Sequence, residues 1–262
     1  MKNFYPSQYK NDNKHSINHN YLTEQFSEVD IILAKIKEVV KRNDFTLGKV
    51  VDEVEELIAK EASTHHAIGV GSGTDALFLS LKAIGVKEGD EVITTTYTFY
   101  ATIGAIVTSG ATPVLCDCDT DFNLDPSKIE ENITSKTKAI IPVHWAGRPC
   151  KMDEINAIAR KHSLTVIEDS CHALQAELNG KRCGNLGDIG CFSFHPLKNL
   201  NVWGDGGIVT TDNTDINKKL RLIRNHGLIN RNTSVEFSYN SRLDSIQAVV
   251  AKHLIENNLN NI

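Results

Sequence analysis

LTVIEDSCHALQA, residues 164–176, begins with the unbroken run Leu164-Thr165-Val166-Ile167 and closes it on two acids, Glu168 and Asp169. A strand with one wet face alternates apolar and polar residues. A continuously apolar strand is covered on both faces, as in a sheet held between helices. Ala139-Ile140-Ile141 reads the same way. Outward from these runs, β-rich segments alternate with helical ones. Strands are expected at 67–70, 91–96, 113–117, 138–143, 164–168, 191–194 and 207–211, and helices at 74–84, 99–109, 152–162 and 214–225. This alternation predicts a three-layer α/β/α domain with a mainly parallel mixed sheet. In such sheets ligands sit beyond the carboxyl ends of the strands.

Before the first strand, residues 1–24 read as a polar arm. Residues 25–41 form an amphipathic helix carrying Ile31, Ile32, Ile36, Val39 and Val40, and 49–62 a second with Val50, Val54, Leu57 and Ile58. After the last strand, a helix is expected at 243–258. The residues themselves thus give an arm at 1–24 and a ligand-binding domain from 25 onward, with no final small domain visible.

Composition narrows the class. Of 262 residues, 40% are hydrophobic and 23% charged, and the net charge of −5 comes without a long basic run, so no nucleic-acid partner is expected. The first twenty residues lack the apolar core of a secretion signal. No apolar run approaches the roughly 20 residues that span a bilayer. The six cysteines include no CxxC pair. Cys116 and Cys118 alternate with Asp117 and Asp119 but lack a second ligand pair, so no metal site is expected. Free thiols suit a reducing cytoplasm.

Four stretches carry chemistry. GVGSGTDALFLSLKAIG, residues 69–85, runs a strand through a glycine-rich turn into a helix that Thr74 can cap. The first-turn N–H groups of such a helix form an anion site. If an anion sits there, Asp75 should offer its backbone N–H and turn its carboxylate away. A dinucleotide fingerprint fails, because Thr74 stands where the last glycine belongs. Phe99 follows a strand end, where an aromatic ring can stack on a planar cofactor or simply join the core. Asp169 ends a buried strand, where a carboxylate needs a partner: a protonated pyridine nitrogen or the N–H groups of a following helix. His172, three residues on, can reach a ring hydroxyl or be a satisfied core histidine. In CFSFHPLKNLNVWGDGG, residues 191–207, Ser193 can donate to a phosphate. Lys198, once burial lowers its pKa, can hold pyridoxal phosphate (PLP) as a Schiff base. Each residue has a plain structural reading by itself. Their order along the chain favours a PLP site.

Here the chain resembles the DegT/StrS family of PLP-dependent sugar aminotransferases, which share the aspartate aminotransferase type of fold (fold type I). The resemblance runs from about residue 30 to 258 in seven collinear blocks: GSGTDAL at 71, GDEVITTTYTFYAT at 89, AIIPVHWAG at 139, VIEDSCHALQA at 166, GDIGCFSFHPLKNL at 187, GDGGIVTT at 204 and YNSRLDSIQAVV at 239. It implies that Lys198 is the Schiff-base lysine and proton shuttle, and that Asp169 pairs with the pyridine nitrogen. It places His172 near the ring hydroxyl and Phe99 on the ring face. Gly73, Thr74, the Asp75 backbone and Ser193 would make the phosphate cup. Asn240 would reach the phosphate of a neighbouring subunit, which implies a homodimer with shared sites. The implied reaction moves an amino group from L-glutamate to a keto-sugar, typically nucleotide-linked, in amino-sugar or surface-polysaccharide biosynthesis. A dehydratase branch has His in place of the lysine, and Lys198 argues against it. Family members continue into a C-terminal segment beyond the point where this chain stops, so the resemblance implies a PLP-binding large domain at 25–240 and, at 241–262, the start of a smaller C-terminal domain whose remainder is absent. A PLP lyase or epimerase on the same fold, or a truncated PLP-binding regulator or scaffold, are the alternatives.

Overall fold

The computed structural model describes residues 20–258 together with Tyr9 and Ile17. The rest of the expected arm and residues 259–262 lie outside the described residues. Helices α1 (Leu22–Gln25), α2 (Val29–Arg42) and α3 (Lys49–Glu61) precede strand β1 (His66–Val70). Then come α4 (Gly73–Ala83), β2 (Glu91–Thr95), α5 (Tyr100–Thr108), β3 (Thr112–Cys116), β4 (Thr137–Ile141), α6 (Met152–His162) and β5 (Thr165–Asp169). A short hairpin, β6 (Glu177–Leu178) and β7 (Lys181–Arg182), leads to β8 (Ile189–Ser193), β9 (Gly207–Thr211) and α7 (Thr214–Ile223). A second hairpin, β10 (Leu228–Asn230) and β11 (Thr233–Ser234), precedes α8 (Ser245–Asn258).

The main sheet has seven strands in the order β1-β9-β8-β5-β4-β2-β3. β2, β3, β4, β5 and β8 run parallel, while β9 is antiparallel to both of its neighbours, β1 and β8. The sheet is thus mixed and mainly parallel, as expected. The two-sided burial read from residues 139–141 and 164–167 has a direct counterpart. Ile140 and Val166 pack with Met152 and Ile155 of α6 on one face, whereas Ala139, Ile141 and Ile167 pack with α4, α5 and α7 on the other. Alternate residues of one strand serve opposite layers, so neither face can be polar.

On the α6 side, α2, α3 and α8 share a further core in which Ile32, Val51, Val54 and Ile58 meet Phe192, Ile208, Leu243 and Val250. The expected helix at 25–41 is broken instead. α1 ends at Gln25, and Phe26 leaves the helical path to set its ring edge-on to Trp203, centroids 5.7 Å apart. The helix after β1 is capped by Ser72, whose Oγ accepts from the Asp75 N–H at 3.0 Å, and not by Thr74. Ser72 is fully extended and so lies just outside the helix, where a side-chain oxygen can reach the third N–H.

One buried ionic network anchors the start of the sheet. The Glu55 carboxylate, 4% exposed, accepts from the Gly69 N–H at 2.8 Å and pairs with Arg221 at 2.8 Å and with Arg224, which also donates to Gly69 O. Glu55→Ala strands the buried Arg224 without a counter-charge. It should cost about 3–5 kcal/mol of folding stability, read from urea denaturation. A loss below about 1 kcal/mol, the usual worth of an exposed pair, would show that the network does not matter for stability.

Candidate active site

A cavity of about 760 Å³ opens at the carboxyl ends of the parallel strands. The segment after β1 brings Gly73 and Thr74 to it, that after β2 Phe99 and Tyr100, and that after β4 Trp145, while β5 ends on Asp169 with His172 just beyond, and β8 ends on Ser193 with Lys198 in the connection that follows. Because β9 is reversed, Asp205, two residues before it begins, also arrives at this end.

Seven of the nine expected site residues therefore line one cavity: Gly73, Thr74, Phe99, Asp169, His172, Ser193 and Lys198. Asp75 and Asn240 do not line it. The Asp75 N–H is taken by the Ser72 cap, and its carboxylate turns to Ser241 Oγ at 2.7 Å. Ser241 Oγ in turn accepts from the Gly71 N–H at 2.9 Å, so the Asp75 side chain braces the glycine-rich turn from behind. Asn240 is exposed and lies in an isolated antiparallel bridge with Asn225.

The anion end is shaped by close approach. A Cβ at Gly73 would stand 2.6 Å from Ser193 Cβ and 2.9 Å from Cys171 Sγ, and one at Gly207 would strike the Ser72 carbonyl. Glycine at both positions lets the α4 N-terminus close onto the β8–β9 connection. The N–H groups of Gly73 and Thr74, at the open end of the helix, have no intrahelical acceptor and are available to an anion.

Asp169 is 6% exposed. Its Oδ2 accepts from Thr102 Oγ1 at 2.7 Å and its Oδ1 from the Cys171 N–H at 3.3 Å. Thr102 hydrogen-bonds Thr98 at 2.7 Å, one helical turn earlier. These contacts fix the carboxylate and leave it acceptor capacity towards the cavity. Thr102 escaped the sequence reading. Its only signal is its place one turn after Thr98, and its partner lies 67 residues away.

Glu168 points to the opposite side of the strand and is fully buried. Its Oε1 accepts from the N–H groups of Leu186 and Gly187, and its Oε2 from the Gly184 N–H and His144 Nε2. His144, Glu168 and Cys183 are close enough to share a metal ion among the described residues. Four hydrogen bonds already occupy the carboxylate, and the Cys150 N–H occupies the other imidazole nitrogen at 3.1 Å. The cluster is a folded-in brace for the 184–187 turn.

Lys198 sits in a stapled turn. Its N–H donates to His195 O at 2.9 Å. Asn201, 1% exposed, donates from Nδ2 to Pro196 O at 2.8 Å, to Lys198 O at 3.2 Å and to Gln25 Oε1 at 3.0 Å. Burial lowers the Lys198 pKa against the pull of Cys171 and Asp169. Burial, with Lys198 adding to it, also lowers that of His172. The Cys171 thiol is pushed well up, by burial first and by Asp169 second, so it stays protonated and does not compete as a nucleophile. Trp145 walls the site beside His172, ring centroids 5.3 Å apart, and Phe99 lies 4.1 Å from Tyr100.

The lowered lysine pKa has a thermodynamic consequence. Between its folded value and the ordinary lysine value, the folded state binds fewer protons than the unfolded one. Stability of the cofactor-stripped protein must then rise with pH through that window. Lys198→Met should flatten the rise in urea denaturation measured across the alkaline range. Equal slopes in the two proteins would mean that Lys198 titrates normally.

A mainly parallel α/β/α sheet with lysine, aspartate and a helix N-terminus around one strand-end cavity is the large-domain arrangement of fold type I. The profile described as the DegT/DnrJ/EryC1/StrS aminotransferase family matches residues 27–258, and the chain belongs to that family. It is 46% identical over 224 residues to a UDP-N-acetyl-3-dehydro-alpha-D-glucosamine 3-aminotransferase of Acidithiobacillus ferrooxidans, covering 85% of this chain and 61% of the relative. It is 45% identical over 231 residues to a pleiotropic regulatory protein of Geobacillus stearothermophilus, covering 87% and 62%. Among solved structures, S. venezuelae DesV in complex with a ketimine intermediate superposes with a TM-score of 0.89 at 36% identity, covering 92% of this chain and 65% of that one. Bacillus subtilis NtdA with bound cofactor PMP gives 0.85 at 35%, covering 96% and 60%. The chain thus spans about three fifths of the length of these curated relatives.

Proposed function

We propose that the chain is the cofactor-bearing part of a PLP-dependent aminotransferase. It moves an amino group from L-glutamate to a keto-sugar, nucleotide-linked, in amino-sugar or surface-polysaccharide biosynthesis. The observation that carries this reading is the convergence of Lys198, Asp169 and the open N-terminus of α4 on one cavity. The relatives named for UDP- and dTDP-sugar amination support the substrate class.

The residues present fit the cofactor. The Gly73 and Thr74 N–H groups and Ser193 would hold its phosphate, Asp169 its ring nitrogen, Phe99 its face, and His172 the side of its ring hydroxyl. When bound, PLP supplies an electron-withdrawing ring that stabilises charge on the carbon beside the substrate nitrogen. Asp169, fixed by Thr102 and the Cys171 N–H, would keep the ring nitrogen of a bound cofactor protonated. Lys198 Nζ, its pKa lowered by burial, gives up its proton more readily than an exposed lysine and can then bond to a carbonyl carbon with loss of water. Freed from that bond, the same nitrogen accepts and returns a proton. His172, with its pKa lowered, stays neutral and offers a hydrogen bond without adding a cation beside Lys198.

A homodimer fits the exposed positions of Asn240 and of the apolar side chains Ile229, Val235 and Phe237 around the second hairpin. All six cysteines are free, which suits a cytoplasmic setting. The test is spectroscopic. The protein purified with PLP should show a visible absorption band that shifts to the amine form of the cofactor on adding L-glutamate. A band that glutamate leaves unchanged would favour a PLP-binding regulator. No band in a folded protein would overturn the reading.

A further inference from the structure

Tyr9 lies well before the stretch matched to the family, yet it lines the cavity. Its hydroxyl is 3.1 Å from His195 Nε2, and the two ring centroids are 6.0 Å apart. The other nitrogen of His195 settles which way that hydrogen bond runs. The Leu197 N–H donates to Nδ1 at 3.3 Å, so Nδ1 carries the lone pair. Burial lowers the His195 pKa, against Asp205 and helped by Lys198, so the ring is neutral at pH 7 and its single proton is on Nε2. Nε2–H then donates and the Tyr9 oxygen accepts. The phenolic proton of Tyr9 is left over at the cavity wall, since His195 is the hydrogen-bond partner of that hydroxyl among the described residues.

This proton is a donor that brings no charge with it, because the imidazole behind it is held neutral. A carboxylate or phosphate is best met by a cation. An uncharged hydroxyl or carbonyl oxygen is best met by a donor of this kind. We infer that Tyr9 is a specificity-determining residue whose hydroxyl donates to an uncharged oxygen on the sugar of the amine acceptor. The inference rests on the proposed function. It adds that a residue ahead of the family's matched region reads the sugar itself, not the nucleotide and not the amino donor.

Two measurements test it. With histidines labelled in 15N, His195 should show the Nε2-protonated tautomer at neutral pH, and Tyr9→Phe should shift that resonance. The Nδ1-protonated tautomer would overturn the inference. Titration of the PLP-loaded protein with UDP-N-acetylglucosamine, dTDP-glucose, UDP and dTDP supplies the second. Tyr9→Phe should weaken the preferred sugar nucleotide about three- to tenfold and leave the corresponding free nucleotide as it was. Equal loss for both, no loss for either, or a wild type that binds the sugar nucleotides no better than the free nucleotides would each overturn it. The glutamate-induced spectral shift in the wild type is a separate check. Its failure removes the proposed function, whereas its success with an unaltered Tyr9→Phe titration removes only the inference.

Discussion

Lys198→Ala should abolish the visible band expected of a lysine-bound cofactor and lower the proposed glutamate half-reaction by roughly 10²–10⁴-fold, the range expected when a positioned proton carrier is lost. Two features make the loss this large. The lysine turn is held by Asn201 through two backbone carbonyls, so no neighbouring residue can swing into the vacated place. The Cys171 thiol, which lines the same cavity, is kept protonated by burial. The fold should survive, because the staple uses backbone atoms and not the lysine side chain. Circular dichroism and an unchanged unfolding transition would establish this before rates are compared. Retention of the band in the variant would place the cofactor on another residue. Added methylamine offers a further check, since a small amine that restores the half-reaction would point to the missing amino group and not to damage.

Asp169→Asn should produce the second-largest loss. The substitution preserves volume, and the Thr102 hydroxyl can turn from donor to acceptor, so the local hydrogen bonds survive. What disappears is a negative charge that is 6% exposed and that, in the proposed function, would face the protonated ring nitrogen of the cofactor. Truncating one partner of a buried, hydrogen-bonded charge pair costs about 2–5 kcal/mol, equivalent to roughly 30- to several-thousandfold in rate. Stopped-flow measurement of the glutamate-induced spectral shift would read it. A variant within about threefold of the wild type would show that the Asp169 side chain is only a structural tie, joining the end of β5 to Thr102 and to the turn after it.

The sequence makes the layers legible because burial on both faces leaves an unmistakable mark: Ala139-Ile140-Ile141 and Leu164 to Ile167 have no polar alternation to hide behind. Strand ends, and with them most of the site, follow from that reading. What resisted was geometry set by distant partners. GSGT contains two hydroxyls, and which one caps α4 depends on where the helix begins, two residues either way. Thr102 and Ser241 look ordinary in the chain, and each acquires its role from a residue that only folding brings near, while Asn201 staples its own turn through backbone carbonyls that leave no mark in the sequence. The hairpins β6–β7 and β10–β11 have strands of two or three residues, too short to show periodicity. Tyr9 is legible only in three dimensions, 186 residues from its partner.

The reversed strand β9 also bears on how the protein comes to be folded. β1 pairs with no strand of the main sheet except β9, His66 opposite Thr211 and Val70 opposite Gly207. During synthesis, β1 therefore emerges long before its partner exists and waits as an unsatisfied strand next to the glycine-rich turn. Pairing across so long a stretch of chain is entropically slow, and an unpaired, apolar strand invites association with other chains in the interval. The connection that carries Lys198 is thus also the one whose completion lets β9 reach β1. The same connection sets Gly207 against Ser72, so the pairing of β1 with β9 and the closing of the anion end of the cavity depend on one set of contacts.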